Sequence, residues 1–331
     1  MIRVFKSILF KLFDWVMLPF SMLYLPLLKL LRKNGLSNFP AHQKLLQQNR
    51  VYPLIDHYYD PRINYENDFD FSSARNLHIN WNIDGQLACL AGLKGVDELR
   101  GLPRDQGSAL SNSHNPPNQI NSPRRFYFNN PAFSDGDADI YYLMIRNLKP
   151  KRIIEIGSGF STLMAVEAIQ KNKEEQHNTV LTCIEPYEFS WLEQLPEVKV
   201  LRERVENIPI DYFSALEAGD ILFIDSSHII RPGNDVLFEY LHILPALQKG
   251  VIVHIHDIFS PKHYPKEWMV NQQLFWNEQY LLEAFLYYNN SYTVKLALNL
   301  LKSKHFDALK TVCPGLSAHS EPGSFWIEKT N

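Results

Sequence analysis

From residue 126 to the C-terminus, short apolar runs alternate with stretches in which apolar residues recur at helical spacing. Helical spacing is clear at 162–170 and at 235–247. Short, continuous apolar strands joined by helices are typical of a mostly parallel sheet that is covered on both faces. The pattern predicts an α/β domain over residues 126–331. Its predicted strands are 152–156, 180–184, 198–201, 221–224, 251–255, 293–297 and 325–327.

Residues 1–33 have a different character, because large apolar residues at helical spacing are mixed there with basic ones. Asp14 is the single acid of this segment. The apolar run 15–28 is expected to be broken by Pro19 and Pro26, and it is shorter than the ~20 residues of a spanning helix. We therefore predict an amphipathic basic helix that lies on a membrane surface. Packing against a partner subunit or against the chain's own core would produce the same pattern.

Residues 34–125 show mixed periodicity and contain no chemical motif. The stretch 83–99 has helical spacing, and 111–123 is rich in Asn, Ser and Pro, as exposed linkers are. We interpret residues 34–125 as an accessory region and linker ahead of the α/β domain.

Composition narrows the class of protein. The net charge of −3 gives no electrostatic basis for nucleic acid as a partner. Hydrophobic residues make up 45% of the chain, which is ordinary for a globular protein. Cys89, Cys183 and Cys313 have no metal-ligand spacing and indicate free thiols in a reducing, cytoplasmic compartment. Any membrane attachment would then be peripheral, on the inner face.

A glycine turn follows the first predicted strand of the domain and leads into a helix. Glycines let the backbone approach a ligand closely, so the turn is predicted to bind a nucleotide-like cofactor. The third glycine of a dinucleotide-binding turn is missing, which argues against NAD. The predicted cofactor-binding residues at this turn are Glu155, Gly157, Ser158 and Gly159.

Two further acids follow the next two strands. Glu185 ends the second strand, one βα unit after the glycine turn, where an acid can accept hydrogen bonds from both ribose hydroxyls of an adenosine. Glu206 lies near the end of the third strand and is predicted to flank the adenine. Either residue could instead be a solvated acid at the end of a strand.

Acids and histidines follow the fourth and fifth strands. Asp225 and His228 come after the fourth strand, and His256 with Asp257 comes after the fifth. Neighbouring strands lie about 4.8 Å apart, so these side chains can meet at one point. Carboxylates with imidazoles suit either a divalent metal or acid–base chemistry. The alternative for the two aspartates is capping of the following helix or loop.

This ordered set of motifs resembles the class I S-adenosylmethionine (SAM) dependent methyltransferases. Within that class it is most similar to the sugar and small-molecule O-methyltransferases that include the macrolide-sugar enzymes, over residues 135–329. The resemblance implies a Rossmann-like seven-stranded sheet with helices on both faces, an antiparallel last strand, and SAM over the first two strand ends. Asp225 then belongs to the cofactor site as well as to the reaction centre.

The resemblance also implies roles at the reaction centre. In the macrolide-sugar enzymes, the positions of Asp225, His256 and Asp257 hold magnesium, and the position of His228 supplies the base. Here His256 stands where those enzymes have an acid. Mg²⁺ prefers oxygen ligands, so the identity of the ion, and whether one binds, stays open. The predicted catalytic residues are His228, Asp225 and Asp257.

The predicted function is SAM-dependent O-methylation of a glycan, a glycolipid or another hydroxylated small molecule, with or without a divalent metal. The aromatic segment 263–280 is predicted to wall the acceptor pocket, unless it is an ordinary amphipathic helix with Trp276 in the core. One alternative is a membrane-attached SAM-binding or scaffold protein without turnover. Another is an NAD-dependent oxidoreductase or sugar epimerase. The oligomeric state is left open, a homo-oligomer included.

Overall fold

The computed structural model describes residues 2–55, 70–107 and 125–331, with side chains described from residue 8 onward. The chain forms two compact units, Met1–Asp68 and Phe69–Asn331. The predicted linker at 111–123 lies outside the described residues.

The first unit is helical. Its long helix runs without interruption through Pro19 and Pro26, so the break expected at these prolines is not formed. Over Ile8–Asn34 this helix is long and apolar enough to cross a membrane, with a mean hydropathy of 1.5. The elements of the unit are α1 (Ile2–Asn34), a 3₁₀ turn (Leu36–Asn38) and α2 (Pro40–Gln48).

The second unit is built on a seven-stranded sheet with the order β3-β2-β1-β4-β5-β7-β6. Strands β1 to β5 are parallel, and β7 runs antiparallel to both β5 and β6. The predicted fold class, including the antiparallel last strand, is confirmed. The strands are β1 (Arg152–Ile156), β2 (Val180–Ile184), β3 (Val198–Leu201), β4 (Ile221–Ile224), β5 (Ile252–Ile255), β6 (Tyr292–Ala297) and β7 (Phe325–Lys329).

Helices cover both faces of this sheet. The side chains of its central strands accordingly enter two separate cores, one on each face. In β4, Ile221 and Phe223 enter one core, and Leu222 and Ile224 enter the other. In the part of the unit that the structure describes, the α-helices are α3 (Ile83–Gly92), α4 (Val96–Leu99), α5 (Asp137–Leu148), α6 (Phe160–Glu174), α7 (Ile210–Ser214), α8 (Asp235–Phe238), α9 (Leu244–Ala246), α10 (Glu278–Leu286), α11 (Leu298–Lys304) and α12 (Phe306–Val312). Shorter turns are 3₁₀ at Leu192–Gln194 and Val205–Asn207, and π at Glu239–Ile243 and Glu267–Asn271.

Part of the predicted accessory region packs with the sheet. Leu90 of α3 and Leu99 of α4 are buried in the same core as Phe223. The compact unit therefore begins before residue 126, the predicted start of the domain. The helical stretch expected at 83–99 is two helices rather than one.

The strand order reverses between β1 and β4, and this reversal places the site. Backbone hydrogen bonds continue one residue past the strand ends, from Gly157 N to Ile184 O (3.1 Å) and from Asp225 N to Ile156 O (2.8 Å). His256 N likewise donates to Ile224 O (2.9 Å). The residues that follow β1, β4 and β5 are thus held at one level, where open α/β sheets bind their ligands.

Candidate active site

A cleft with a volume of ≈ 570 Å³ opens at the carboxyl ends of the parallel strands. Its walls come from the glycine turn, from the residues after β2, β3 and β4, and from the loop before α10. The predicted site residues that line it are Gly157, Ser158, Glu185, Glu206, Asp225 and His228. Members of both predicted groups therefore share one cavity, whereas Gly159, His256 and Asp257 do not line it.

Gly157 is held in a position that no larger residue can occupy. Its φ is 80°, and a Cβ added there would lie 1.9 Å from the carbonyl oxygen of Asp225. Gly159 differs, because its φ of 169° is extended backbone. Its N–H donates to Thr162 Oγ1 (3.0 Å), which fixes the start of α6. The turn therefore brings the β1 backbone directly against the end of β4.

Glu155 does not line the cleft, which corrects its predicted contact with the cofactor. The side chain is fully buried. Its Oε1 accepts a hydrogen bond from the Tyr141 hydroxyl (2.8 Å), and its Oε2 accepts one from Thr162 Oγ1 (2.6 Å). Because Thr162 also receives the Gly159 N–H, Glu155 supports the glycine turn from below.

Glu155 should make stability depend on pH. Burial raises its pKa to about 7 against the opposing hydrogen bonds. The folded state therefore holds this proton more tightly than the unfolded state, and the stabilisation is lost as pH rises from ~4.5 towards ~7. Between about pH 5 and 8, Glu155 should lower the free energy of unfolding of the wild type on the order of 3 kcal/mol. Glu155→Gln should lack this contribution, because glutamine does not titrate. Urea denaturation of both proteins at the two pH values measures the free energies of unfolding. An equal change with pH in the wild type and the variant would contradict the prediction.

Glu185 presents one free oxygen to the cleft. Its Oε1 accepts the backbone N–H groups of Tyr187 and Glu188 at 2.9 Å each. Its Oε2 receives no hydrogen bond from the described residues. The turn after β2 therefore orients the carboxylate, and the second oxygen is placed to accept hydrogen bonds from a diol.

Glu206 forms an ion pair with Arg204. Both side chains line the cleft, next to the partly apolar wall formed by Val205. An arginine at this position was not expected from the sequence. The pair gives this end of the cavity a donor and an acceptor for a heterocyclic ring.

Two histidines and two aspartates meet beyond β4 and β5. His228 Nε2 lies 3.3 Å from Asp225 Oδ1 and 3.6 Å from Asp257 Oδ2. His256 Nδ1 lies 3.2 Å from the same Asp225 oxygen and 3.6 Å from Asp257 Oδ1. His228 and Asp257 both have positive φ values, 58° and 57°. Positive φ is uncommon outside glycine, although Asp and His adopt it more often than most residues, and it is concentrated at functional sites.

The charges of this cluster follow from its geometry. Burial lowers the pKa of both histidines, but the surrounding carboxylates outweigh it and raise both pKa values well above the ordinary range. Burial raises the pKa of Asp257 to about 6. The two histidines overcome burial at Asp225 and hold its pKa below the usual range. The carboxylates around His228 therefore favour its protonated form.

Glu278 holds the other side of His228 and was missed by the sequence analysis. Its fully buried Oε2 lies 2.8 Å from His228 Nδ1, and its Oε1 accepts the Tyr240 hydroxyl (3.1 Å). The backbone N–H groups of Asn277 and Glu278 donate to His228 O. Glu278 is the first residue of α10, a position that favours an acid. The sequence indicates the start of this helix, but it does not indicate the contact of Glu278 with His228, 50 positions earlier.

Trp276 forms an aromatic wall beside the cluster. Its ring centroid lies 4.3 Å from that of His228, and the side chain lines the cleft. Trp268 and Tyr264 pack behind it at 5.1 and 6.1 Å. The wall falls within the segment 263–280 that was predicted to contribute to an acceptor pocket.

The cluster fits a divalent cation. Ligand atoms of Asp225, His228 and Asp257 all lie within 4.8 Å of one another. Ligands ~2.1 Å from an ion are ~3.0 Å apart at right angles and ~3.4 Å apart in a tetrahedron. The 3.3 and 3.6 Å from His228 Nε2 to the two aspartates are close to these values. The imidazole in this group is His228, where the prediction named His256. The second nitrogen of His256 points to Asp137 Oδ2, 3.6 Å away.

Comparison with known proteins shows similarity over part of the chain. Residues 154–258 match a family model described as a methyltransferase domain. An uncharacterised protein of Archaeoglobus fulgidus is 32% identical over 96 residues, which are 28% of this chain and 42% of that protein. The chain thus spans less than half the length of this curated relative.

Solved structures with a similar fold include two described with SAM or SAH. The O-methyltransferase TomG from Streptomyces achromogenes, in complex with SAM, is 16% identical, with 59% of this chain and 79% of TomG covered and a TM-score of 0.38. CmcI with SAH is 15% identical, with 72% and 93% covered and a TM-score of 0.37.

Residues 154–258, which contain the glycine turn and the ends of the parallel strands β1 to β5, are thus similar to a methyltransferase domain. This match agrees with the class that the sequence motifs predict.

Proposed function

We propose that the protein transfers a methyl group from SAM to a hydroxyl oxygen of a glycan, a glycolipid or another hydroxylated small molecule. The observation that carries the proposal is the convergence on one cleft of the Gly157 turn, the free oxygen of Glu185 and the Asp225 cluster. A cofactor and an acceptor oxygen held there would be neighbours, and such positioning supplies much of the rate of a displacement reaction.

The cofactor would lie along the ends of β1 and β2. Gly157 and Ser158 leave room for its methionine part, and Glu185 Oε2 accepts hydrogen bonds from the ribose hydroxyls. Glu206 and Arg204 border the adenine end of the cleft. This placement directs the methyl group towards Asp225 and His228, which line the same cavity.

The acceptor would lie between the aspartates and Trp276. Asp225 and Asp257 orient the hydroxyl. Where no cation is bound, the neutral form of His228 receives its proton at Nε2, the nitrogen that faces both aspartates. A divalent cation held by Asp225 and Asp257, with an imidazole beside them, would lower the pKa of a bound hydroxyl. Trp276 offers a flat apolar face of the kind that packs against a sugar ring. Attachment to a membrane through residues 1–33 would bring glycolipid acceptors within reach. Assembly into a homo-oligomer stays a prediction.

Binding and turnover of SAM test the proposal together. Calorimetric titration of the purified full chain with SAM should give saturable binding. Transfer of label from methyl-labelled SAM into a native glycan or lipid extract should follow. Binding without transfer would favour the scaffold alternative, and no binding would reject both.

Glu185→Gln isolates the proposed ribose contact. The amide oxygen can still accept the Tyr187 and Glu188 N–H groups, so the turn should fold normally. The amide nitrogen replaces the free acceptor, and SAM affinity should fall roughly 10- to 100-fold, as expected for hydrogen bonds to a charged group. Calorimetry measures the change, and Glu188→Gln, on the same cleft wall, is the matched control. Equal affinities for the two variants would contradict the ribose assignment.

A further inference from the structure

Helix α1 exposes apolar side chains along most of its length. Every residue from position 8 to position 26 is exposed, including Trp15 at 74% and Leu23 at 81%. Isolated apolar residues on a surface are ordinary, but a continuous helical stretch of them marks an interaction site.

The exposed stretch is apolar around the whole circumference of the helix. Between Asp14 and Lys29 the sequence has no charged residue over nearly four turns. A helix lying on a membrane surface needs a polar face towards water along its length. A protein partner would cover one face and leave the others in water. A helix that is apolar on all sides is solvated completely only in a protein core or in a bilayer.

The length and the ends of the helix fit a bilayer. From Ile8 to Leu31 it rises about 36 Å, against a hydrocarbon thickness of about 30 Å. Its charged residues within that stretch lie near the two ends, with Lys11 and Asp14 one turn apart and Lys29 at the other end. Lysines near helix ends reach the headgroups with their long side chains.

The two prolines point in the same direction. The helix continues through Pro19 and Pro26, both in its exposed part. Proline inside a helix costs roughly 3 kcal/mol in water, and it is more frequent in membrane-spanning helices than in soluble ones. We infer that α1 crosses a lipid bilayer and anchors the methyltransferase unit to it, instead of lying on the surface.

Resistance to extraction distinguishes the two arrangements without any measurement of activity. Membranes from cells that produce the full chain are washed with high salt and then with alkaline carbonate, and the pellet is floated through a sucrose gradient. A spanning helix should stay with the floating membranes after both washes. A surface helix should leave with the carbonate wash.

Leu18→Lys with Met22→Lys places two charges at the centre of the apolar stretch, and the matched control is Leu30→Lys at its end. Each of the two central lysines should lower the ratio of membrane-bound to released protein on the order of 100-fold. The single lysine of the control should lower this ratio little. Release of the wild type by either wash would overturn the inference, as would pelleted protein that fails to float or a double variant that resists extraction. The failure of methyl transfer would not affect any of these outcomes.

Discussion

Gly157→Ala should nearly abolish SAM binding. Alanine at a φ of 80° is strained by ~1–2 kcal/mol, and its Cβ would lie 1.9 Å from the Asp225 carbonyl oxygen. The turn after β1 and the end of β4 must then separate, which displaces both walls of the cleft. We expect a loss of SAM affinity of at least ~100-fold, together with a fall in melting temperature of more than ~5 °C. Calorimetric titration and thermal melting measure the two effects.

Gly159→Ala is the matched control. Its φ of 169° suits any residue, and the added Cβ would approach a ring atom of Phe189 at 3.2 Å. That ring is half exposed and can shift by a few tenths of an ångström. Affinity should change by no more than a few-fold. If both variants bound SAM equally well, the close approach at Gly157 would not be what shapes the cofactor site.

The fold and the cofactor side of the site were readable from the sequence because their signals are local. Continuous apolar runs mark buried parallel strands, and Gly157 stands where the turn after β1 lies against the residue that follows β4. Glu185 could be placed because each strand contributes its last residues to the same edge of the sheet. Periodicity and strand order are enough for these inferences.

Contacts between distant segments could not be read in this way. Glu155 looked like a cofactor ligand because the sequence does not show that its side chain points into the core towards Tyr141. Glu278 reaches His228 only because the loop before α10 folds back over the strand ends. The path of α1 through Pro19 was missed because proline is a helix breaker in water, and the rule is weaker in other surroundings.

Asp225→Asn should stop methyl transfer with a smaller effect on the fold. Asp225 Oδ1 faces both His228 Nε2 and His256 Nδ1, so it is the shared anion of the cluster. An amide there is neutral, so it neither stabilises positive charge on the two histidines nor holds a divalent cation firmly. The acceptor hydroxyl then loses both its orientation and the group that lowers its pKa. We expect the transfer rate from labelled SAM to a native glycolipid extract to fall on the order of 1,000-fold.

Glu206→Gln separates this effect from simple loss of cofactor. Glu206 lines the same cleft at its far end, where it pairs with Arg204. Its replacement should raise the SAM concentration needed for half-maximal transfer a few-fold and leave the maximal rate unchanged. Asp225→Asn should instead lower the maximal rate at saturating SAM, and titration with Mn²⁺ should show weaker binding than in the wild type. An Asp225→Asn protein that transfers methyl groups within about tenfold of the wild-type rate would place the reaction centre elsewhere in the cleft.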